Sequence, residues 1–378
     1  MRKFDISTNW SERPLTVAAV LLFCETFSYA SMTRGQTVTI ESSMKLARTK
    51  LSRTIASVLI SLTMSAVACS KQEPASFSSA EMKPAATALA NPAPAATPPV
   101  ADSSVPKPNI NGNHVMQYVK EVVAIGSRPV GSAGHAKVEP YILSKLKGVD
   151  VEQDKFTAQT PVGKFQMNNI VAKFPGRKDG IIVVAGHYDT PHPLPKSYVG
   201  ANDGGSSTAL LLALADQFRD KERDGYSVWL VWTDGEEAFV KWTATDSLYG
   251  TKHLAQQWQQ DGTARKIKAF ILVDMIGDAD LDIQKETNST PWLSDLVYQA
   301  ATNLGYQSHF YQIQTSIGDD HMPMLKVGIP AVDIIDLDYG YNNVFWHTPQ
   351  DTVDKLSPQS LAISGNVVLE TIRLLDAR

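Results

Sequence analysis

Cysteine is nearly absent: Cys24 and Cys69 are the only two in 378 residues, and both precede residue 70. The rest of the chain therefore has no thiol nucleophile, no cysteine-bound zinc and no disulfide framework. Charge of one sign is also lacking, since 35 basic residues stand against 39 acidic ones for a formal net charge of -4. That charge is too small and too mixed to suggest nucleic-acid binding. The apolar stretch from Ile55 to Val67 falls short of the roughly 20 residues that cross a bilayer. No internal repeat is visible. With 43% hydrophobic residues the bulk of the chain can build an ordinary globular core.

The first hundred residues do not read as fold. Lys45, Arg48, Lys50 and Arg53 follow Met44, precede the short apolar stretch, and lead to Ala66-Val67-Ala68-Cys69-Ser70. A basic segment, an apolar core and small residues at a cut form a secretion signal over residues 44–69. Cys69 resembles the lipidated cysteine of a bacterial lipoprotein, and Ser70 resembles outer-membrane sorting. These features imply an exported protein facing the periplasm, in contact with the membrane only through an N-terminal lipid. Simple cleavage after Ala68 is the alternative. Residues 1–43 then resemble translation upstream of a true start at Met44. Residues 70–108 hold eight of the 21 prolines among alanine and serine. They cannot bury enough apolar surface to offset their ordering entropy and read as a tether.

Residues 109–378 read as one α/β domain. Val115, Tyr118, Val119, Val122 and Val123 share a helix face, as do Val138, Tyr141, Ile142 and Leu146. Gln166 to Phe174 and Ile181 to Ala185 look like strands paired with each other. Helices then alternate with strands: Ser206 to Arg219, the strand ending at Thr233, Tyr249 to Gln260, Ala269 to Met275, Trp292 to Leu304, Ala331 to Leu337 and Pro358 to Leu375. Apolar strands separated by helices predict a three-layer α/β/α sandwich with a mixed, mostly parallel central sheet.

Acid and histidine residues fall at the ends of those strands, where open α/β sheets place their chemistry. Asp234-Gly235-Glu236-Glu237-Ala238-Phe239 follows the buried run Ser227 to Trp232. Two neighbouring buried carboxylates are costly without a positive partner, and a metal ion is the natural candidate. His187-Tyr188-Asp189, Asp203 before a helix, Asp274 inside Ile271 to Met275, and His347 after Phe345-Trp346 add to the set. Imidazole and carboxylate ligands suit zinc when thiolate is lacking. Singly, each has a plainer reading. Asp203 could be a helix cap, the histidines satisfied core groups, and Trp242 and Trp346 core residues. Asp278, Asp280 and Asp282 lack the glycine and distal Glu of a calcium loop and read as a solvated loop.

Taken together, His187 to Asp189, Asp203, Glu236-Glu237, Asp274 and His347 resemble the zinc aminopeptidase superfamily. Asp234 to Phe239 with Trp242, Asp246-Ser247-Leu248-Tyr249-Gly250-Thr251-Lys252-His253, Asp319-Asp320-His321-x-Pro323 and Trp346-His347-Thr348 look like glutaminyl cyclase of the animal type. The likeness spans Val115 to the C-terminus. It implies one zinc per chain held by Asp203, Glu237 and His347, with Glu236 as general acid and base. Asp274 and Asp319 would form an acidic network beside it, and Trp242 and Trp346 would line the substrate pocket. The substrate would be a peptide or protein with N-terminal glutamine, closed to pyroglutamate with loss of ammonia by a monomeric enzyme. The chain departs from the vertebrate pattern where Ala185 and Ser206-Ser207-Thr208 replace a cysteine pair, and its segment Asp338 to Asn343 is its own.

Two other readings stand beside this one. His187, Asp203, Glu237, Asp274 and His347 supply every ligand type for a two-zinc aminopeptidase. A tethered peptide-binding lipoprotein without activity would use the same scaffold. Only the tryptophan-bearing context favours cyclisation.

Overall fold

The computed structural model describes residues 107–192 and 195–378. The signal segment, Cys69 and most of the expected tether lie outside the described residues. Seven helices occur among these: α1 (Gly112–Ile125), α2 (His135–Lys145), α3 (Gly205–Phe218), α4 (Tyr249–Asp261), α5 (Pro291–Leu304), α6 (His321–Lys326) and α7 (Pro358–Asp376). Eight strands accompany them: β1 (Asp150–Thr160), β2 (Gly163–Phe174), β3 (Lys178–His187), β4 (Tyr226–Thr233), β5 (Ile267–Asp274), β6 (Ile283–Glu286), β7 (Phe310–Thr315) and β8 (Ala331–Ile335). They form one mixed sheet in the order β1-β2-β4-β3-β5-β8-β6-β7. The central strands β4, β3, β5 and β8 run parallel, while β1 with β2, β2 with β4, and β6 with β8 are antiparallel.

Both faces of the central strands are apolar because both are covered. Ile182, Val184, Ile271 and Val273 point into a core shared with α1, α3, α5 and α7. The alternate residues Val183, Ala185, Phe270 and Leu272 point into a second core, which includes Leu254, Ala255 and Trp258 of α4 and Met324 of α6. Removing this much apolar surface from water, at about 25 cal/mol per Å2, makes the central strands the rigid part of the fold. The expected three-layer α/β/α sandwich is what forms.

One pairing differs from the sequence expectation. β2 and β3 are consecutive but not partners, because β4 lies between them: Ile170 pairs with Trp232, and Val183 with Trp229. The short link steps across the start of β4, where Arg177 N donates to Arg223 O at 3.0 Å and Lys178 N to Gly225 O at 3.0 Å. β4 is apolar on both faces and belongs inside the sheet, so the more polar β1–β2 hairpin is left at the edge. The 278–282 loop also differs, for Asp278 is buried rather than solvated. Its carboxylate accepts from the backbone amides of Asp280 at 3.3 Å and Gly340 at 3.4 Å. Among the described residues no helix is long and apolar enough to cross a membrane.

Candidate active site

Parallel strands deliver the site. His187 closes β3, Asp274 closes β5, and Asp234 to Glu237 follow β4. Asp203 precedes α3, Asp319 and Asp320 precede α6, and His347 sits in the loop before α7. Turns of unusual backbone aim these side chains. Gly204 and Gly235 have φ of 72° and 65°; a Cβ at Gly204 would meet Asp189 O at 2.7 Å, and one at Gly235 the Met167 sulfur at 2.6 Å. His347 and Met275 also hold positive φ, 53° and 49°, without being glycine. Such strain gathers where function over-determines the backbone.

Ligand atoms of Asp203, Glu237 and His347 lie within 4.8 Å of one another. His347 Nε2 is 3.2 Å from both Asp203 Oδ2 and Glu237 Oε1. Metal bonds of about 2.0–2.2 Å in a tetrahedron place neighbouring donors roughly 3.3 Å apart, so this trio fits zinc. A second trio shares Asp203: His187 Nε2 stands 3.1 Å from Asp203 Oδ1 and 3.3 Å from Asp274 Oδ1. Both His187 nitrogens and Asp274 Oδ1 are buried without a hydrogen-bond partner. Orphaned buried polar atoms of this kind suit a cation too.

The electrostatics agree with a site built for positive charge. Burial would raise the Asp203 carboxyl, but His187 and His347 beside it hold it well below the usual range. Burial opposes charge on His347, yet Asp203 and Glu237 push its imidazole up to about 10. Burial, then the Asp203 charge, lifts Glu237 to about 7. Glu236 is raised well above the carboxylate range by burial and by the Glu237 charge. A buried carboxyl poised high is suited to hold and return a proton.

Several supporting residues carried no role in the sequence reading. Asp189 accepts from the backbone amides of Glu236 at 3.2 Å and Glu237 at 3.3 Å. Asp234 accepts from His135 Nε2 at 2.8 Å and Asn168 N at 2.8 Å, which anchors the start of the same turn. Asp351 accepts from the amides of Asn202 at 2.8 Å and Asp203 at 3.2 Å, and Tyr198 donates its hydroxyl to Asp203 Oδ2 at 2.8 Å. Arg128 is the one lysine or arginine buried among the described residues. Its guanidinium donates to the carbonyls of Tyr188, Val199 and Gly200, which bracket the Asp203 loop. Asp189 belonged to a legible motif; Arg128 and Tyr198 gave no signal.

A cleft of about 440 Å3 opens over the trio. Asp203, Glu236, Glu237, Asp274, Asp319 and His347 line it, with Trp242 and Trp346 on its walls. The structure thus brings these eight sequence-expected residues to one cleft, while His187 is not part of its lining and meets Asp203 and Asp274 below the surface. Trp242 and Trp346 are 42% and 41% exposed, so they form its rim rather than core. Trp346 stacks on the His347 ring with centroids 4.1 Å apart.

Comparison with known proteins follows the same line. The pattern of peptidase family M28 matches residues 169–372. The chain is 47% identical to a glutaminyl cyclase from an Acidobacteriales bacterium, with a TM-score of 0.71, covering 74% of this chain and 99% of that one. A mouse glutaminyl-peptide cyclotransferase-like protein is 31% identical over 62% of this chain and 68% of its own. A Zn-dependent exopeptidase from Parabacteroides distasonis is 26% identical with a TM-score of 0.64, covering 72% of this chain and all of that one. With its strand-end acids, its histidines and its tryptophan rim, the chain belongs to peptidase family M28, and within it to the glutaminyl cyclases.

Proposed function

We propose that the chain converts N-terminal glutamine of peptides and proteins to pyroglutamate, releasing ammonia, with a single zinc as cofactor. What supports the reading is the meeting of Asp203, Glu237 and His347 in one cleft with Glu236, in a chain 47% identical to a glutaminyl cyclase. A zinc ion held by the trio would supply a Lewis acid for the side-chain carbonyl of the substrate. Glu236 takes a proton from the attacking α-amine and returns one to the departing ammonia. Asp189 keeps Glu236 and Glu237 in register by gripping adjacent amides. Trp242 and Trp346 flank the glutamine side chain and limit the water that would otherwise compete. Asp274 and Asp319 complete the acidic surroundings that attract the substrate's amine.

A second reading follows from the other trio, because His187, Asp203 and Asp274 offer a second ion the donors of a two-zinc aminopeptidase. One assay separates the two. A Gln-initiated peptide incubated with the zinc-loaded protein and followed by mass loses one ammonia with its backbone intact if it is cyclised. Release of free glutamine, with two zinc ions per chain, would overturn the proposal. Chelation should abolish turnover and added zinc restore it; activity indifferent to chelator would remove zinc from the reading. We extend the proposal to a monomeric lipoprotein of the bacterial cell envelope, anchored through Cys69. Cys69→Ala is expected to release it from membranes.

A further inference from the structure

The cleft sorts its charges by depth. Its acids, Asp203, Glu236, Glu237, Asp274 and Asp319, are all buried. Val240, Lys241, Trp242, Gly318 and Trp346 are the exposed members of its lining and form the mouth. Lys241 is the only lysine or arginine in that lining. The backbone carrying it is fixed, because the amides of Phe239, Val240 and Lys241 all donate to the Asp246 carboxylate at 2.9–3.0 Å. Its ammonium is not spent elsewhere: among the described residues it has no carboxylate and no hydrogen-bond partner. Lys252 is the contrasting case. Its ammonium donates to Ala244 O at 2.8 Å and Ser247 O at 2.6 Å, and it lies outside the lining.

A volume of about 440 Å3 falls in the range that encloses a whole small ligand rather than one side chain. On the cyclase reading, the amine and side chain of the first residue lie beside Glu236 and the metal donors. An extended chain advances about 3.3 Å per residue, so the second and third residues pass the mouth on their way out. Five buried carboxylates pull on any cationic peptide, even with two of their charges offset by zinc. One ammonium at the mouth opposes that pull for a basic side chain and attracts an acidic one. A lysine that only kept an apolar rim in water would act on peptides as bulk charge, no differently from Lys252.

We propose that Lys241 forms a subsite for an acidic side chain at the second or third position of the substrate. The preferred substrates are then Gln-initiated peptides with Asp or Glu close behind the glutamine. This inference rests on the cyclase reading and names the substrate class within it. Because the lysine is exposed, the pairing is modest in strength and sensitive to salt.

The test uses the zinc-loaded full chain and matched peptides with Glu, Ala or Lys behind the N-terminal Gln. Wild type is expected to show a higher kcat/KM for the Glu peptide than for the Lys peptide. Lys241→Glu should lower that ratio by at least about fivefold at low ionic strength, with Lys241→Met between. At 1 M salt, where the screening length is about 3 Å, the change should shrink to about twofold or less. Lys252→Glu, the same reversal outside the cleft, should move the ratio by less than about twofold. A wild-type preference for the Lys peptide, a ratio that Lys241→Glu leaves unmoved, or an equal shift in Lys252→Glu would each overturn the proposal. Binding supplies a readout without turnover: zinc-loaded Glu236→Gln is titrated with the same peptides, and tryptophan fluorescence gives their Kd ratio. Adding Lys241→Glu should shift that ratio by the same fivefold. An Ala peptide that binds but is never cyclised by wild type would sink the cyclase reading alone, so the two failures are distinguishable.

Discussion

Truncating Asp246 should loosen the substrate pocket without touching the metal donors. This buried carboxylate accepts from three successive backbone amides, Phe239 at 2.9 Å, Val240 at 2.9 Å and Lys241 at 3.0 Å, and from the Tyr249 hydroxyl at 2.9 Å. The next residue along, Trp242, stands on the cleft wall. Hydrogen bonds to a charged group contribute about 1.5–3 kcal/mol each. Val240 and Lys241 can turn to water when the carboxylate is removed, whereas Phe239 is buried and cannot. Asp246→Ala then costs the ordered 239–242 segment roughly 2–4 kcal/mol. Where substrate needs that ordered segment, a loss of this size lowers apparent affinity by at most about 30- to 1,000-fold. We expect KM for a Gln-peptide to rise at least about tenfold, with kcat much less affected and zinc content unchanged. Trp fluorescence should report the loosened indole, and Asp246→Asn should fall between. Burial opposes the charge, but the amides of Lys241, Phe239 and Val240 hold the carboxyl below its usual range. The contribution is therefore present above the unfolded value of about 3.9 and is lost only as pH falls through the lower folded one. An unchanged KM in Asp246→Ala would refute the argument.

Other outcomes follow from the site geometry. Glu236→Gln should lower kcat by about 100- to 10,000-fold while the protein still binds zinc, because Glu236 is outside both donor trios; loss of metal in that variant would mean its role is misassigned. Gly204→Ala should destabilise the fold by about 1–3 kcal/mol and weaken zinc retention, since a Cβ there strains the left-handed turn and meets Asp189 O at 2.7 Å. Urea denaturation and chelator competition measure the two effects, and unaltered values in both would contradict the assignment of that turn.

The parts of the fold that were legible are those where burial writes itself into composition. β3, β4, β5 and β8 are covered on both faces and read as apolar runs. β1 is an edge strand of mostly exposed residues, Asp150 to Thr160, paired through its backbone to β2 alone, so no apolar period marks it. β6 is only four residues long. The order of strands was not legible either, because inserting β4 between β2 and β3 depends on contacts distant in sequence. The same division holds at the site. Glu236, Glu237, Asp203 and His347 stand out as acids and imidazoles beside buried strands. The residues that hold them do not: Asp351 is ordinary until it meets the Asn202 amide 149 positions away, and Arg128 until it finds the Tyr188 carbonyl 60 positions on.

Asp203 belongs to two donor sets at once, and that shared membership bears on how such proteins diverge. A lineage passing between cutting a peptide bond and closing a lactam would not have to exchange a single ligand. Selection could work instead on the indole rim and the loop that Asp246 fastens, where access of solvent is decided. Ligand inventories should therefore be poor guides to chemistry among these relatives, and the walls above the metal better ones.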